Sequence, residues 1–598
     1  MGWEAWFALG IVALIFVGLA MNRPSDALLV GGVVAMGVAG ILTPAEMFVG
    51  FSNTGMLTVG ALFVVTAGLR ETGALQTLGR WVLGRARDER SVLRRLVSVT
   101  TMSAFLNNTP IVAMFIPIVE DWCRKHRVSS SRLLIPLSYF SILGGTCTLI
   151  GTSTNLVVNG LMIDAIQTDP RLAETLYEIG LFELSRVGLP YAVIGTAYLL
   201  LVGRWLLPQR KGFREQMDAA SREYLANMRI EPGCHLAGKN VEEAGLRRLT
   251  GLFLIEIWRD DHMISPIGPS EVLEDGDILT FTGAVSNIVE LEKIPGLVPF
   301  VDEDYEAQAA ARRHETLCEA VISRTSPLID KTIREANFRA RYNAAVVAVH
   351  RGGQRLQGRV GDIELQPGDT LLLQAGPHFA DAHRNNSDFF LVSGVRNSQA
   401  VRHDKAVIAF GLLGLLMLLM TTGAMQIVLA AFLVAGLMII TRCVTVTEAR
   451  RSVDWQTLIT IAAAFGLGTG LVNSGAVEAI AGGVVAAMGP WGPRALLLGV
   501  YMLTTIFTEI ITNNAAAALM FPFAIAIAQG LGVDPRPFAM VIAFAASASF
   551  MTPLGYQTNL MVYGPGGYSL RDFVKIGLPL NLLLMTTATI LVPLAWPF

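Results

Sequence analysis

Two short polar runs interrupt an apolar chain, Asn107-Asn108-Thr109 and Thr512-Asn513-Asn514, each followed by a proline at the same interval, Pro117 and Pro522. Two further runs recur in the same order, Gly151-Thr-Ser-Thr-Asn155 and Gly555-Tyr-Gln-Thr-Asn559. Asn and Thr supply neutral donors and acceptor oxygens. Where such residues open a helix, free backbone N–H groups and a partial positive charge favour an anion. Unwound carbonyls and hydroxyls beside them suit a small cation such as Na⁺. None of the four runs contains Lys or Arg, so dipoles, neutral donors and a co-bound cation would have to hold an anion. A single run of this kind is explained by helix capping and packing; four at matched spacing point to a site. Glu509 lies one turn before Thr512, where the first half has Ala104. An ionisable residue at membrane depth is a functional candidate: it could aid cation binding, carry a proton, or hydrogen-bond a neighbouring helix.

The elements that must position these runs are apolar. Of 598 residues, 52% are hydrophobic and 16% charged, and the net charge is −2. The charged share of soluble domains is about 25%. Stretches of spanning length run over 4–21, 27–43, 54–70, 187–207, 405–422, 425–441, 455–473 and 575–597. The N-terminal stretch has no basic leader and no cleavage site, so it reads as a first span. Regions 93–122 and 495–529 carry the tip runs, and 133–163 and 537–563 carry the glycine-led runs. Arg80, Arg85, Arg87, Arg90, Arg94 and Arg95 precede or open region 93–122, and Arg124, Lys125, Arg127 and Arg132 follow it. By the positive-inside rule both its ends are cytoplasmic. This predicts a re-entrant hairpin, and 495–529 is expected to enter from the other side. The glycine-led regions read as broken helices.

Matched motifs divide the chain into two related halves. Thr43-Pro-Ala-Glu46 recurs as Thr445-Val-Thr-Glu448, each a capping box. Gly68 and Gly470 follow the two glutamates at equal distance, and Arg186-Val-Gly188-Leu-Pro190 matches Lys575-Ile-Gly577-Leu-Pro579. The charge pattern inverts one half relative to the other, as in secondary transporters. The expected fold is an α-helical polytopic membrane protein with an inverted repeat, residues 1–208 and 403–598. The two halves are separated by a polar insert, expected to be cytoplasmic because Arg204, Arg210 and Lys211 lead into it.

The insert is itself duplicated. Leu236-Ala-Gly-Lys239 pairs with Leu328-Ile-Asp-Lys331, and Leu273-Glu-Asp-Gly276-Asp277 with Leu365-Gln-Pro-Gly368-Asp369. Strands are expected at 252–258, 278–282, 344–350 and 370–374, giving two small α+β domains at 209–300 and 301–402. No glycine fingerprint follows a strand. Gly466-Leu-Gly468-Thr-Gly470 lies in a span and reads as helix packing. The five cysteines form no metal or disulfide pattern and read as single thiols.

The tip and glycine-led runs resemble those of the divalent anion:sodium symporter family, which includes sulfate and di- or tricarboxylate carriers. That family has Ser-Asn-Thr at each tip and a Pro-Pro-Asn-type motif in each broken helix. Here the central Asn108 and Asn513 are kept, while Thr152-Ser-Thr-Asn155 and Tyr556-Gln-Thr-Asn559 lack the paired prolines. The resemblance implies sodium ligands at Ser103, Asn107, Asn108 and Gly151, and at Thr508, Asn513 and Gly555. It implies anion ligands at Asn108, Thr109, Thr154, Asn155, Thr512, Asn513, Asn514, Gln557, Thr558 and Asn559. It further implies an elevator-like motion, a homodimer, and a place in the plasma (bacterial inner) membrane. The insert resembles two TrkA C-terminal domains, regulatory modules that could take a nucleotide, and the whole resembles the sulfate-transporter-like branch. No other cofactor and no nucleic acid is expected. Three alternatives stand beside sodium–sulfate symport: a dicarboxylate or tricarboxylate carrier, a proton-coupled carrier using Glu509, and a regulated ion channel. No potassium-filter run is present. An enzyme is not expected, since no nucleophile–base set is evident.

Overall fold

The computed structural model describes residues 1–21, 23–74, 79, 86, 88–126, 128–209, 225–246, 252–259, 262–264, 267–268, 270–283, 291, 294–300, 317–323, 326–351, 354–356, 360–375, 379, 383, 386, 388–394, 403–553 and 555–598. Arg80, Arg85, Arg87, Arg127, Arg210 and Lys211, used above to orient the chain, lie outside the described residues. The chain separates into two compact units: residues 1–209, 400–562 and 568–598 form one, and 210–399 with 563–567 the other.

The first unit is helical. Its first-half helices are α1 (Trp3–Ala20), α2 (Ser25–Val38), α3 (Pro44–Met47), α4 (Thr54–Glu71), α5 (Glu89–Ser103), α6 (Asn108–His126), α7 (Leu134–Gly145), α8 (Ser153–Thr168) and α9 (Ser185–Leu201). The second half supplies α10 (Ala406–Thr422), α11 (Ile427–Ile440), α12 (Val446–Ser452), α13 (Trp455–Asn473), α14 (Ala476–Met488), α15 (Pro493–Ile510), α16 (Asn513–Leu531), α17 (Arg536–Ser547), α18 (Gln557–Tyr563) and α19 (Leu570–Ala595). Among the described residues, α13, α16 and α19 are long and apolar enough to cross a membrane, and shorter apolar helices accompany them. α14 was not anticipated; its sequence, AVEAIAGGVVAAM, is rich in Ala and Gly and carries a glutamate.

The helix contacts recur with partners exchanged. α2 packs on α13 as α11 packs on α4, α5 packs on α7 as α15 packs on α17, and α9 packs on α19. Both capping boxes form: the side chains of Thr43 and Thr445 accept from the backbone N–H of Glu46 and Glu448. Gly466 faces Val33 and the Met47 carbonyl, and Gly470 faces Met36 and Leu42, so α13 approaches α2 along a face cleared of side chains. Arg132, just beyond α6, pairs at 3.0 Å with Glu89, the first residue of α5, which brings the entry and exit of that hairpin together. All five cysteines are buried and none is in a disulfide.

In the second unit, the described strands form two antiparallel sheets. β1 to β5 are Leu225–Ile230, Leu252–Arg259, His262–Ile264, Ile278–Gly283 and Leu297–Pro299. β6 to β10 are Leu317–Ile322, Ala344–Arg351, Gln354–Arg355, Thr370–Ala375 and Phe389–Gly394. Their orders, β3-β2-β4-β1-β5 and β10-β6-β9-β7-β8, are the same topology read from opposite ends. The turns before β4 and β9 use Gly276 at φ 90° and Gly368 at φ 82°, a left-handed conformation open to glycine at little cost. Behind each turn sits the same clasp. Arg259 grips Asp277 at 2.9 and 2.8 Å, and Arg351 grips Asp369 at 2.8 and 2.8 Å. Burial pushes the Asp369 carboxyl above the usual carboxylate range, against the pull of Arg351.

The breaks between α7 and α8 and between α17 and α18 are covered by glycines. A Cβ on Gly188 of α9 would run into the Thr146 carbonyl, and one on Gly577 of α19 into the Phe550 carbonyl. Backbone cannot rotate away as a side chain can. Gly577→Ala should therefore destabilise by about 1–3 kcal/mol. Gly436→Ala, at a position with nothing within 4 Å, should not lower stability. Thermal unfolding of the two variants in detergent checks this.

Candidate functional site

The site starts from a backbone problem. α7 ends at Gly145 and α8 begins at Ser153, leaving the carbonyls of the intervening segment without helical partners. Asn155 reaches back to close them, its Nδ2 donating to the carbonyls of Gly145 at 3.2 Å and Thr148 at 2.8 Å. Asn559 does the same in the second half, donating to Ser549 at 2.8 Å and Thr552 at 3.3 Å. Thr148 donates to the Ala104 carbonyl, and Thr552 to the Glu509 carbonyl. The side chains of Asn155, Thr558 and Asn559, expected among the anion ligands, are thus engaged in the framework. Ser138 of α7 shares its hydroxyl between Thr558 at 2.8 Å and Asn559 at 2.7 Å. All three are buried.

The hairpin tips meet the breaks of the opposite half. Tip one, at the start of α6, lies against the start of α18: Thr109 donates to Gln557 Oε1 at 2.9 Å, and Asn108 Nδ2 donates to the Tyr556 hydroxyl. Tip two, at the start of α16, lies against the start of α8. There Asn513 Nδ2 donates to Thr154 Oγ1 at 2.7 Å, while Ser153 and Thr154 donate to Asn514 Oδ1 at 3.1 and 3.3 Å. Thr109 with Gln557 and Asn514 with Ser153 occupy equivalent positions in the two halves. Gln557 is exposed and Thr109, Ser153 and Asn513 are half-buried, so these four form the open side of the cluster.

Beside each tip is a group of oxygens. In the first half Ser103 donates to Asn108 Oδ1, and Ser141 of α7 lies 3.0 Å from the Ser103 hydroxyl and 3.3 Å from Asn108 Oδ1. A Cβ on Gly145 would fall 2.9 Å from Asn108 Oδ1 and 3.1 Å from the Gly151 carbonyl, so Asn108 and Gly151 converge on that glycine. Asn107 is not in this group; it lines a cavity with Thr66, Phe105, Ile150 and Ser153. In the second half Thr508 donates to the Ala546 carbonyl at 2.7 Å, and a Cβ on Gly555 would meet the Thr508 carbonyl at 2.6 Å. The Thr512 hydroxyl is buried with no partner. An orphaned buried hydroxyl oxygen can take a cation as its missing partner.

Glu509 is fully engaged. Its carboxylate accepts from the backbone N–H groups of Phe550, Met551 and Thr552, each at 2.9 Å. It also accepts from Thr552 Oγ1 at 2.8 Å, Ser549 Oγ at 3.2 Å and Asn581 Nδ2 at 3.2 Å. Six donors around one acceptor-only group make it the anchor of the second break. The first break is tied differently, with Leu149 N–H on the Leu181 carbonyl and Ser185 on the Cys147 carbonyl. Sequence reasoning missed Thr152, Ser153, Tyr556, Ser138 and Ser141. The first three lie inside the quoted runs; Ser138 and Ser141 show only as a polar pair three apart on an otherwise apolar helix.

Apolar helices, paired helix contacts and a neutral polar cluster at helix starts define a polytopic membrane transporter. The chain matches the citrate transporter (CitMHS) family over residues 11–539 and 491–598, and it belongs to that family. A Chlamydomonas reinhardtii protein named for the sulfur deprivation response is 35% identical over 93% of this chain and 95% of its own length. Sodium/sulfate cotransporter 1 of the same alga is 27% identical over 98% of this chain and 89% of its own. An uncharacterized transporter of Escherichia coli K12 is 31% identical over the full length of both.

Glu509→Gln keeps one acceptor oxygen and turns an NH₂ group toward donors. Each buried donor left unpaired costs about 1–3 kcal/mol. The expected outcome is a large drop in thermal midpoint, with the pH profile of the remaining transport unchanged in shape. A proton-carrying Glu509 would instead give a variant whose transport no longer responds to pH.

Proposed function

We propose that the protein is a secondary active transporter that couples sodium to the uptake of a small divalent anion, sulfate foremost. One observation carries the reading: the two Asn/Thr tips bond crosswise to the starts of the opposite broken helices, and the residues that meet there carry no formal charge. A dianion at such a junction needs neutralising cations, and the oxygen groups beside Ser103/Asn108/Gly151 and Thr508/Thr512/Gly555 are where sodium would supply them. Asn108, Thr109, Thr154, Asn513, Asn514 and Gln557 would orient the anion. Relatives named sodium/sulfate cotransporters support this choice.

The exchanged helix contacts support two inverted repeats with re-entrant hairpins α5–α6 and α15–α16. In this reading hairpins and broken helices move as one elevator against a dimeric scaffold in the plasma membrane. The duplicated sheets of the second unit are cytosolic TrkA-C-like domains that regulate the carrier, with a nucleotide as the ligand to test on the full-length protein.

A carrier of citrate or a dicarboxylate is the second reading, favoured by the family's description. Labelled sulfate uptake into proteoliposomes separates the two. An inward sodium gradient should drive uptake, and excess succinate or citrate should leave it unchanged. No uptake of any divalent anion with or without the gradient would overturn the proposal.

Thr512→Val removes the orphaned hydroxyl and breaks no internal hydrogen bond. Its stability should match or exceed that of the native protein, while the sodium concentration for half-maximal uptake rises about tenfold.

A further inference from the structure

The matched runs Gly151-Thr-Ser-Thr-Asn155 and Gly555-Tyr-Gln-Thr-Asn559 make Thr152 and Tyr556 equivalent positions, yet one is small and the other large. These two side chains meet: the Tyr556 hydroxyl lies 3.1 Å from Thr152 Oγ1. A single phenol therefore bridges the two breaks and fills the space between them. Both residues are buried, Thr152 at 2% and Tyr556 at 6% exposure. The third partner is Asn108, whose Nδ2 donates to the same hydroxyl while its Oδ1 faces Ser103 and Ser141.

We propose that Tyr556 is the specificity-determining residue of the anion site, admitting a compact oxyanion and excluding a longer dicarboxylate. This rests on the anion-transport reading and deepens it.

Two features of the geometry argue for it. The first is volume. With a Thr-sized residue at both equivalent positions, the breaks would face each other across a gap the size of a phenol ring. The ring removes the room a four-carbon chain would need. The second is polarity. An amide NH₂ only donates, so the phenol oxygen must accept from Asn108, and its own proton is left to donate. That proton goes to Thr152 or to an oxygen of the anion. A fully deprotonated oxyanion accepts it in a charge-assisted bond. Asn108 then joins the two ligands, because the same amide presents its oxygen to the first cation group and its nitrogen to the phenol.

The test uses full-length protein in proteoliposomes, with sodium-driven uptake of labelled sulfate. Competition by thiosulfate, a compact dianion, is compared with competition by succinate. The native protein should be inhibited by thiosulfate and not by succinate. Tyr556→Thr, which copies the first-half residue, should lower the inhibitory succinate concentration by about tenfold or more, a discrimination typical of filled against empty pocket volume. The inhibition constant of thiosulfate should rise together with the KM for sulfate, because threonine also lacks the phenol hydrogen bond. Tyr556→Phe keeps the ring, so it should still exclude succinate, while its KM for sulfate rises about five- to thirtyfold from the lost hydrogen bond. A transporting Tyr556→Thr that excludes succinate as the native protein does overturns the proposal. If that variant does not fold, Tyr556→Phe decides: admission of succinate through an intact ring overturns it, and continued exclusion with a raised KM supports it. Native uptake blocked equally by succinate overturns this inference alone. Native protein that takes up no divalent anion overturns the anion-transport reading and removes this inference with it.

Discussion

Backbone amides and carbonyls inside an apolar unit must find partners within the protein, and the rest of this structure depends on how that demand is met at two breaks. Asn155 and Asn559 turn back on the carbonyls that α7 and α17 leave open. Glu509 gathers the N–H groups of the second break. Once these groups are satisfied, short non-helical segments can persist at the centre of the helical unit. They can then present the starts of α8 and α18 to the opposite hairpin tips. The glycines of α9 and α19 follow from the same demand, because the covering helices must come down on bare backbone.

The two halves solve this problem alike in outline and differently in detail. Thr148 and Thr552 occupy equivalent positions and make equivalent bonds to the end of the preceding hairpin helix. The first break is otherwise tied to the segment leading into α9, and the second to a buried carboxylate with a ring of protein donors. The two oxygen groups differ as well. In the first, Ser103, Ser141 and Asn108 satisfy one another, whereas the second retains the unpartnered Thr512 hydroxyl. The two oxygen groups, alike in their place in the chain, are therefore unequal in their internal bonding.

Much of this was legible in the residues. Equal spacing between matched motifs marked the two halves, because a repeat must keep its helix lengths to keep its packing. Both capping boxes, the Arg/Lys clustering and the duplicated strands of the insert were visible for similar local reasons. α14 was not, since its 13 residues fall short of a span and carry a glutamate. Ser138 and Ser141 were not either, since nothing local distinguishes a serine facing a site from one facing a neighbouring helix.

The sequence by itself determined that this is an apolar, duplicated chain with four polar interruptions at matched places, because composition and spacing are local properties. Only the tertiary structure decided what those interruptions do. It engages Asn155 and Asn559 in holding the breaks, ties Thr558 to Ser138, turns Glu509 into an anchor, puts Asn107 on a cavity it shares with Ser153 and brings Tyr556 up against Thr152 and Asn108. These assignments depend on which half each tip meets. That pairing joins residues more than 300 positions apart, a distance no periodicity or spacing rule can cross.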